Sequence, residues 1–325
     1  MHSLTYAQAI NEALKEEMRR DANLVVLGED VGKYGGVFGV TRGLYDEFGE
    51  ARVRDCPLNE AAIISFGIGL ALAGKPAVAE LEFMDFVTFC MDAITNQAPK
   101  LRFFWGGQVE VPLVIRTPIA SGLGFGTQHS QSLEGWFMHV PGLKVAMPAT
   151  AYDAKGLMKT AIRDRNPVLF ADNISLYSTK GDIPDEDYTI PFGQARIARE
   201  GKDATVVALA TMVGKTLEAC NRLEKDGFSI EVIDPRTIAP LDTDTVLASV
   251  HKTGRLLIVD ETFQPCGVGA EIAAQVTDKG FDDLDAPIRR LNGVHTPTPY
   301  SPPLEAAIVP NVNTIEQALR DLLAE

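Results

Sequence analysis

The chain has 325 residues, 46% hydrophobic and 23% charged, the balance of an ordinary globular protein with room for two cores. A net charge of -14 argues against nucleic acid and against anionic membrane surfaces, and leaves a basic protein partner open. Four widely spaced cysteines, with no CxxC or CxxH grouping, fit a reducing compartment and argue against a zinc site.

Met1-His2-Ser3-Leu4-Thr5 leads directly into a charged amphipathic helix over Tyr6–Arg20, so no leader is expected and the location expected is cytoplasmic. Leu24–Gly28 reads as a strand, ending in a loop with Glu29, Asp30 and the flexible pair Gly35-Gly36. Asn59 is a natural N-cap for an apolar helix that runs from Glu60 to the stop signal Gly74-Lys75-Pro76. No charge appears from Ala61 to Gly74, so this helix is expected to be buried all round.

A strand at Ala77–Leu81, a helix from about Asp85 to Leu101 and a strand at Val111–Arg116 follow. Beyond the glycine-rich loop Ser121–Gly126 come a short helix near Ser132–His139, a strand at Leu143–Met147, a helix at Tyr152–Asp164 and a strand at Pro167–Ala171. Such alternation predicts an α/β fold, a doubly wound parallel sheet with helices on both faces. Between Ser178 and Glu200 the pattern gives way to Gly, Pro and acidic residues. The expected division is a first domain over residues 1–180, a linker over 181–200 and a smaller α/β domain over 201–325. In the second domain the strands are Ala204–Leu209, Ser229–Ile233, Arg255–Val259 and Ile288–Leu291. Its helices are Gly214–Lys225, Thr243–Lys252, Gly269–Lys279 and Thr314–Leu323.

Glu60 is a lone carboxylate at the mouth of an apolar helix. Burial would raise its pKa, while the helix N-terminus favours its anion. Two readings stand: a first-turn acid that suits the helix dipole, and an acid placed to share a proton with a ligand. His129 follows the glycine-rich loop at the carboxyl edge of the strand Val111–Arg116, where open α/β sheets place their sites. It is either a proton carrier or a histidine hydrogen-bonded within a tight loop. The G-x-G-x-G in the same loop is no dinucleotide fingerprint, because no helix starts at its third glycine. Phe83 and Phe86, just past the strand Ala77–Leu81, are core residues or a stacking surface for a flat heterocycle. The acidic runs Asp185–Asp187 and Asp282-Asp283 read as solvated surface, and His251 and His295 have no partner nearby in sequence.

The segments Leu27-Gly28-Glu29-Asp30-Val31, Pro57-Leu58-Asn59-Glu60, Gln128-His129-Ser130-Gln131-Ser132, Pro141-Gly142-Leu143-Lys144-Val145, Tyr152-Asp153-Ala154-Lys155-Gly156-Leu157 and Ala161-Ile162-Arg163-Asp164 carry a resemblance over essentially the whole chain. It is to the beta subunits of the thiamine diphosphate-dependent decarboxylating component of 2-oxo acid dehydrogenase complexes. The resemblance implies a pyrimidine-binding domain followed by a transketolase C-terminal-like domain. It implies that Glu60 hydrogen-bonds a ring nitrogen of the cofactor's aminopyrimidine and so promotes the proton transfer that creates the ylid. It also implies Glu29 beside the cofactor, Phe86 stacked on the pyrimidine and His129 lining a channel where the acyl group passes to a lipoyl arm. Leu113, Ala161, Ile162, Asp164 and Asn166 resemble a potassium-binding loop of some members.

The sequence has no Gly-Asp-Gly, the family's magnesium-diphosphate segment. The resemblance therefore implies an alpha subunit that holds magnesium and the diphosphate, in an α2β2 heterotetramer, and a dihydrolipoyl acyltransferase as further partner. Gln128 stands where branched-chain members place Tyr, which favours pyruvate or acetoin over a branched-chain acid. His295-Thr296-Pro297 and the segment from Tyr188 to Gly193 resemble acetoin enzymes, but the Gly28–Val40 loop lacks an insertion common in them, so pyruvate stands first and acetoin close behind. A split transketolase-like enzyme would call for a phosphosugar pocket rich in basic residues and histidines, and this chain is poor in both. A scaffold subunit without catalysis would have no need of both Glu60 and His129.

Overall fold

The computed structural model describes residues 1–325, in two compact units: Met1–Ala120 with Trp136–Phe192, and Ser121–Gly135 with Gly193–Glu325. Residues 121–135, with His129 among them, thus cluster with the second unit although they lie within the sequence of the first.

The chain opens with β1 (His2–Thr5) and α1 (Tyr6–Arg20). Thr5 and Gln8 form a capping box at the start of α1, satisfying two orphan backbone donors. Then come β2 (Val25–Gly28), α2 (Leu44–Phe48), β3 (Val53–Asp55), α3 (Glu60–Leu72), β4 (Ala77–Glu80), α4 (Leu101–Phe104), β5 (Leu113–Ile119), α5 (Glu134–Met138), β6 (Lys144–Ala146), α6 (Ala151–Arg163), β7 (Val168–Asn173) and β8 (Lys180–Ile183). All the strands from β2 to β7 pair in parallel in the order β6-β7-β5-β4-β2-β3, the doubly wound sheet expected. Helix α1 lies along α6, where three basic residues of α6 meet acids of α1: Lys155 reaches Glu12 and Glu16, Lys159 reaches Glu16, and Arg163 takes Glu17 in two hydrogen bonds. The two lysines are buried, so their stems pack as apolar chain while their heads pair. Asp185, Glu186 and Asp187 are exposed, the solvated surface expected, with Asp187 also pairing with Lys159 and Arg163 and Asp185 with His2.

The second unit contains β9 (Arg196–Arg199), β10 (Ala204–Ala208), α7 (Thr211–Glu224), β11 (Ile230–Asp234), β12 (Thr237–Ala239), α8 (Thr243–Thr253), β13 (Leu256–Phe263), α9 (Val268–Gly280), β14 (Arg289–Gly293), α10 (Pro302–Ile308) and α11 (Val312–Leu323). Its sheet runs β14-β13-β10-β11-β9, parallel except for the antiparallel edge β9.

Three expectations are corrected. The stretch 181–200 contains part of β8, paired with β1, and all of β9. Their pairing partners lie far away in sequence or follow only later, so local composition alone could not reveal them. The helix expected over Asp85–Leu101 is broken into a 3₁₀ segment, Met84–Cys90, a π-type turn, Asp92–Gln97, and α4. The hydroxyls of Thr88 and Thr95 donate to the carbonyls of Asp85 and Met91, competing with the helical ladder, and Pro99 brings no N–H. Finally, α3 is not buried all round. Ile63, Ile64, Gly67, Ile68 and Ala71 face the core, while Phe66 and Leu72 are each 44% exposed and Ala62, Ser65 and Gly69 are exposed beside them.

Candidate active site

Asn59 caps α3 by accepting the N–H of Ala62 at 3.0 Å, which fixes Glu60 as the first helical residue, half-buried at the positive end of the helix. Glu60 is one member of an acidic group. Burial, then the charges of Asp30 and Glu60, raises the pKa of Glu29. Burial together with Glu29, Asp30, Glu80 and Glu60 pushes Glu82 up to about 7. Cys90, buried and near the charge of Glu60, is pushed up to about 12 and stays a neutral thiol. A carboxyl that titrates near neutrality can both give and take a proton at working pH. Glu82 is absent from the sequence reading. Its signal was a charged residue directly after an apolar strand and directly before Phe83.

An aromatic run adjoins these acids. Phe38 meets Phe83 edge-on at 5.5 Å, Phe83 meets Phe86 at 5.7 Å, and Phe86 meets Phe89 at 6.3 Å. Phe86 is half-buried, so part of its surface is left for a flat ring. Phe38 also touches Tyr177, whose hydroxyl belongs to a buried network. There the guanidinium of Arg116, 1% exposed, donates to Glu80, to Asp172 at 2.7 Å and to the Tyr177 hydroxyl. Burial raises the pKa of Glu80 and Arg116 opposes the rise. The network ties β4, β5 and β7 together and meets the aromatic run where Phe38 touches Tyr177.

The loop residues resembling a potassium site are spoken for by protein donors. Asp164 accepts from Lys144 and, through its other oxygen, from the backbone and side chain of Asn166. Asn166 accepts from Arg102 at 3.0 Å. Ala161 and Ile162 sit in the last turn of α6 and Leu113 opens β5, so a cation there would rest on backbone carbonyls. No group of three or more His, Cys, Asp or Glu side chains converges so as to hold a metal ion.

His129 lies half-buried in the loop 121–135, its N–H directed to the Gly126 carbonyl at 3.4 Å, a bond of poor length. The loop is fastened within the second unit. Gly122 and Gly124 donate to the carboxylate of Glu305, Thr127 donates to the carbonyl of Thr298, and Ser132 reaches Glu261 at 3.4 Å. Glu134 at the end of the loop is fully buried beside Asp260 and Glu261; burial and those two charges raise its pKa well above the carboxylate range. Glu261 is likewise pushed up to about 7. His251 pairs with Asp283 at 2.7 Å, and His295 packs against Phe263, so both have partners that their local sequence does not reveal.

Residues 2–179 match the transketolase pyrimidine binding domain, and residues 193–315 the transketolase C-terminal domain. The beta subunit of acetoin:2,6-dichlorophenolindophenol oxidoreductase from Bacillus subtilis is 44% identical over 334 residues, covering 99% of this chain and 98% of the relative. The 2-oxoisovalerate dehydrogenase beta subunit of the same organism is 44% identical and its pyruvate dehydrogenase E1 component beta subunit 42%, each covering 99% of both chains. The chain belongs to the beta subunits of the thiamine-dependent 2-oxo acid dehydrogenases. A split-gene transketolase described as an inactive beta4 tetramer has the same fold, with a TM-score of 0.81 at 21% identity, covering 99% of this chain and 98% of that one. In this family the pyrimidine-binding domain takes one end of thiamine diphosphate. A carboxyl, a neighbouring acid pushed up to about 7 and a half-buried aromatic are groups that suit an aminopyrimidine: donors and acceptors for its nitrogens, a face for its ring. No helix of this subunit is long and apolar enough to cross a membrane.

Proposed function

We propose that this subunit, joined to an alpha subunit in an α2β2 heterotetramer, decarboxylates pyruvate and passes the acyl group to the lipoyl arm of a dihydrolipoyl acyltransferase. Bound thiamine diphosphate supplies the carbanion chemistry that breaks the carboxyl bond. Glu60, fixed at the first turn of α3, would hydrogen-bond a ring nitrogen of the aminopyrimidine and exchange one proton with it. Glu82, pushed up to about 7, keeps the surrounding charge adjustable near neutral pH, and Glu29 beside it is shifted in the same direction. Phe86, backed by Phe83 and Phe38, offers the face for the pyrimidine ring. In the transfer step the lipoyl disulfide would be the two-electron oxidant, one sulfur taking the acyl group, and His129 would supply the proton to the other sulfur as it leaves as a thiol. The observation that carries this reading is the placement of Glu60 within electrostatic reach of Glu29 and Glu82 at a capped helix start.

The diphosphate half of the cofactor, with magnesium, falls to the alpha subunit, since this sequence has no Gly-Asp-Gly segment. Potassium, where present, has a structural place at Leu113, Ala161, Ile162, Asp164 and Asn166 and no step passes through it. Acetoin is the second reading, since the acetoin, 2-oxoisovalerate and pyruvate relatives, at 44%, 44% and 42% identity, do not separate the substrates. Calorimetric titration of the isolated subunit with thiamine diphosphate and magnesium is the direct test: weak or no binding alone, and about one cofactor per αβ pair after mixing with the alpha subunit. Tight, magnesium-dependent binding to the subunit alone would overturn the half-site. Comparing kcat/KM for pyruvate, acetoin and 2-oxoisovalerate decides the substrate.

A further inference from the structure

The loop that bears His129 begins with two glycines in the left-handed region, Gly122 at φ +83° and Gly124 at φ +76°. That backbone turns both N–H groups to the same side, the arrangement of an anion-binding nest. The anion is supplied by the protein itself. Glu305 on α10, 2% exposed, accepts from Gly122 at 2.9 Å with one oxygen and from Gly124 at 2.7 Å with the other. The same stretch of chain grips the loop twice more. The Thr298 carbonyl takes the Thr127 hydroxyl, and the Tyr300 ring lies so close to Gly126 that a Cβ there would stand 2.3 Å from it. Segment 298–305 is thus a cradle for loop 122–127, more than 170 residues away in sequence.

We propose that Glu305 is a positioning residue for acyl transfer: its carboxylate latches the nest and sets where His129 stands. The inference rests on the role given to His129 above. Glu305 touches no reacting atom, so it acts only through the loop. Two bonds from backbone N–H to a buried carboxylate are of the strong, charge-assisted kind. Their loss should lower the protection of the loop amides by roughly a hundred-fold.

The test uses the reconstituted heterotetramer with a lipoyl domain, in Glu305→Ala, Glu305→Gln, His129→Ala and the double variant Glu305→Ala/His129→Ala. Hydrogen exchange over residues 121–130 should rise strongly in Glu305→Ala and by less in Glu305→Gln, which keeps one acceptor oxygen. Acyl transfer to the lipoyl domain should fall in Glu305→Ala about ten-fold further than decarboxylation with an artificial electron acceptor. Adding Glu305→Ala to His129→Ala should cost nothing more in transfer, because the residue acted upon is already gone. Unchanged loop exchange in either Glu305 variant overturns the latch. Faster exchange with a transfer loss that adds to that of His129→Ala overturns the coupling. If His129→Ala alone leaves transfer intact, the role of His129 fails and takes the positioning role with it, while the exchange data still decide whether the latch exists. Should Glu305→Ala not assemble, Glu305→Gln answers all of these questions with smaller effects.

Discussion

Replacing Arg116 by methionine removes a cation from the centre of the first unit while leaving its two carboxylates in place. Glu80 and Asp172 are 7% and 0% exposed, so neither can turn to water. Breaking a buried pair in this way costs about 3–5 kcal/mol. The alternative is to protonate a carboxyl. From an ordinary pKa near 4 that costs about 4–5 kcal/mol at pH 7.5 and only about 1.5 kcal/mol at pH 5. The loss should therefore shrink as pH falls. A domain of this size loses ~2–4 °C of Tm per kcal/mol, giving a drop of about 6–20 °C in the transition of the first unit at pH 7.5. Differential scanning calorimetry at pH 7.5 and pH 5 measures it, with Arg116→Met/Glu80→Gln/Asp172→Asn as the repair, since removing all the charges at once should restore most of the loss. The same change removes one of the two hydrogen bonds of the Tyr177 hydroxyl, leaving the one to Asp172, and loosens Phe38 and Phe83 through it, so thiamine diphosphate should bind the assembled Arg116→Met enzyme more weakly. A cost below about 1 kcal/mol, or one that does not vary with pH, would refute the claim that the guanidinium compensates the two buried carboxyl groups it bonds.

Glu60→Gln should assemble normally and lose about 10²–10⁴-fold in decarboxylation, measured with an artificial acceptor, because an amide cannot exchange the proton; a loss of a few-fold only would make Glu60 a helix-cap residue. His129→Ala should reduce transfer to a lipoyl domain more than decarboxylation, and equal losses in the two assays would remove its assigned role. Glu82 has its pKa raised to about 7 in the folded chain, so the native state holds a proton the unfolded chain gives up near 4.5. Stability should thus decline as pH rises from about 4.5 to 7, and Glu82→Gln should flatten that decline in thermal melts; parallel curves for both proteins would show that Glu82 does not titrate there.

The parallel sheets were legible because their strands, such as Leu113–Ile119, are continuous apolar runs separated by helical periods. Glu60 stood out for a similar reason: one charge at the mouth of a long apolar stretch is visible without any partner. Glu82, Arg116 and Asp172 carried the same signal, a charge in or beside an apolar strand, yet what each does depends on which strands are neighbours. Arg116 meets Glu80 and Asp172 only because β5 lies between β4 and β7. Glu305 was less accessible still, since its partners are backbone amides of a loop 183 and 181 residues away. Helix α10 that carries it does begin with Pro302-Pro303, a start signal that a closer reading would have used.

The exposed face of α3 has a cellular consequence. Phe66 and Leu72 on the helix, at 44% exposure each, and Leu58 just before it at 71%, are large apolar side chains left exposed around the very helix that begins with Glu60. Apolar patches of this kind are what chaperones and proteases recognise as unfinished protein. A subunit made in excess of its partner would therefore carry its own mark for removal, and a partner seated on this face would hide it. Balanced amounts of the two chains can then be maintained by clearing the surplus, without matched rates of synthesis. Overproduced alone, the chain should partition into inclusion bodies or short-lived soluble species for the same reason.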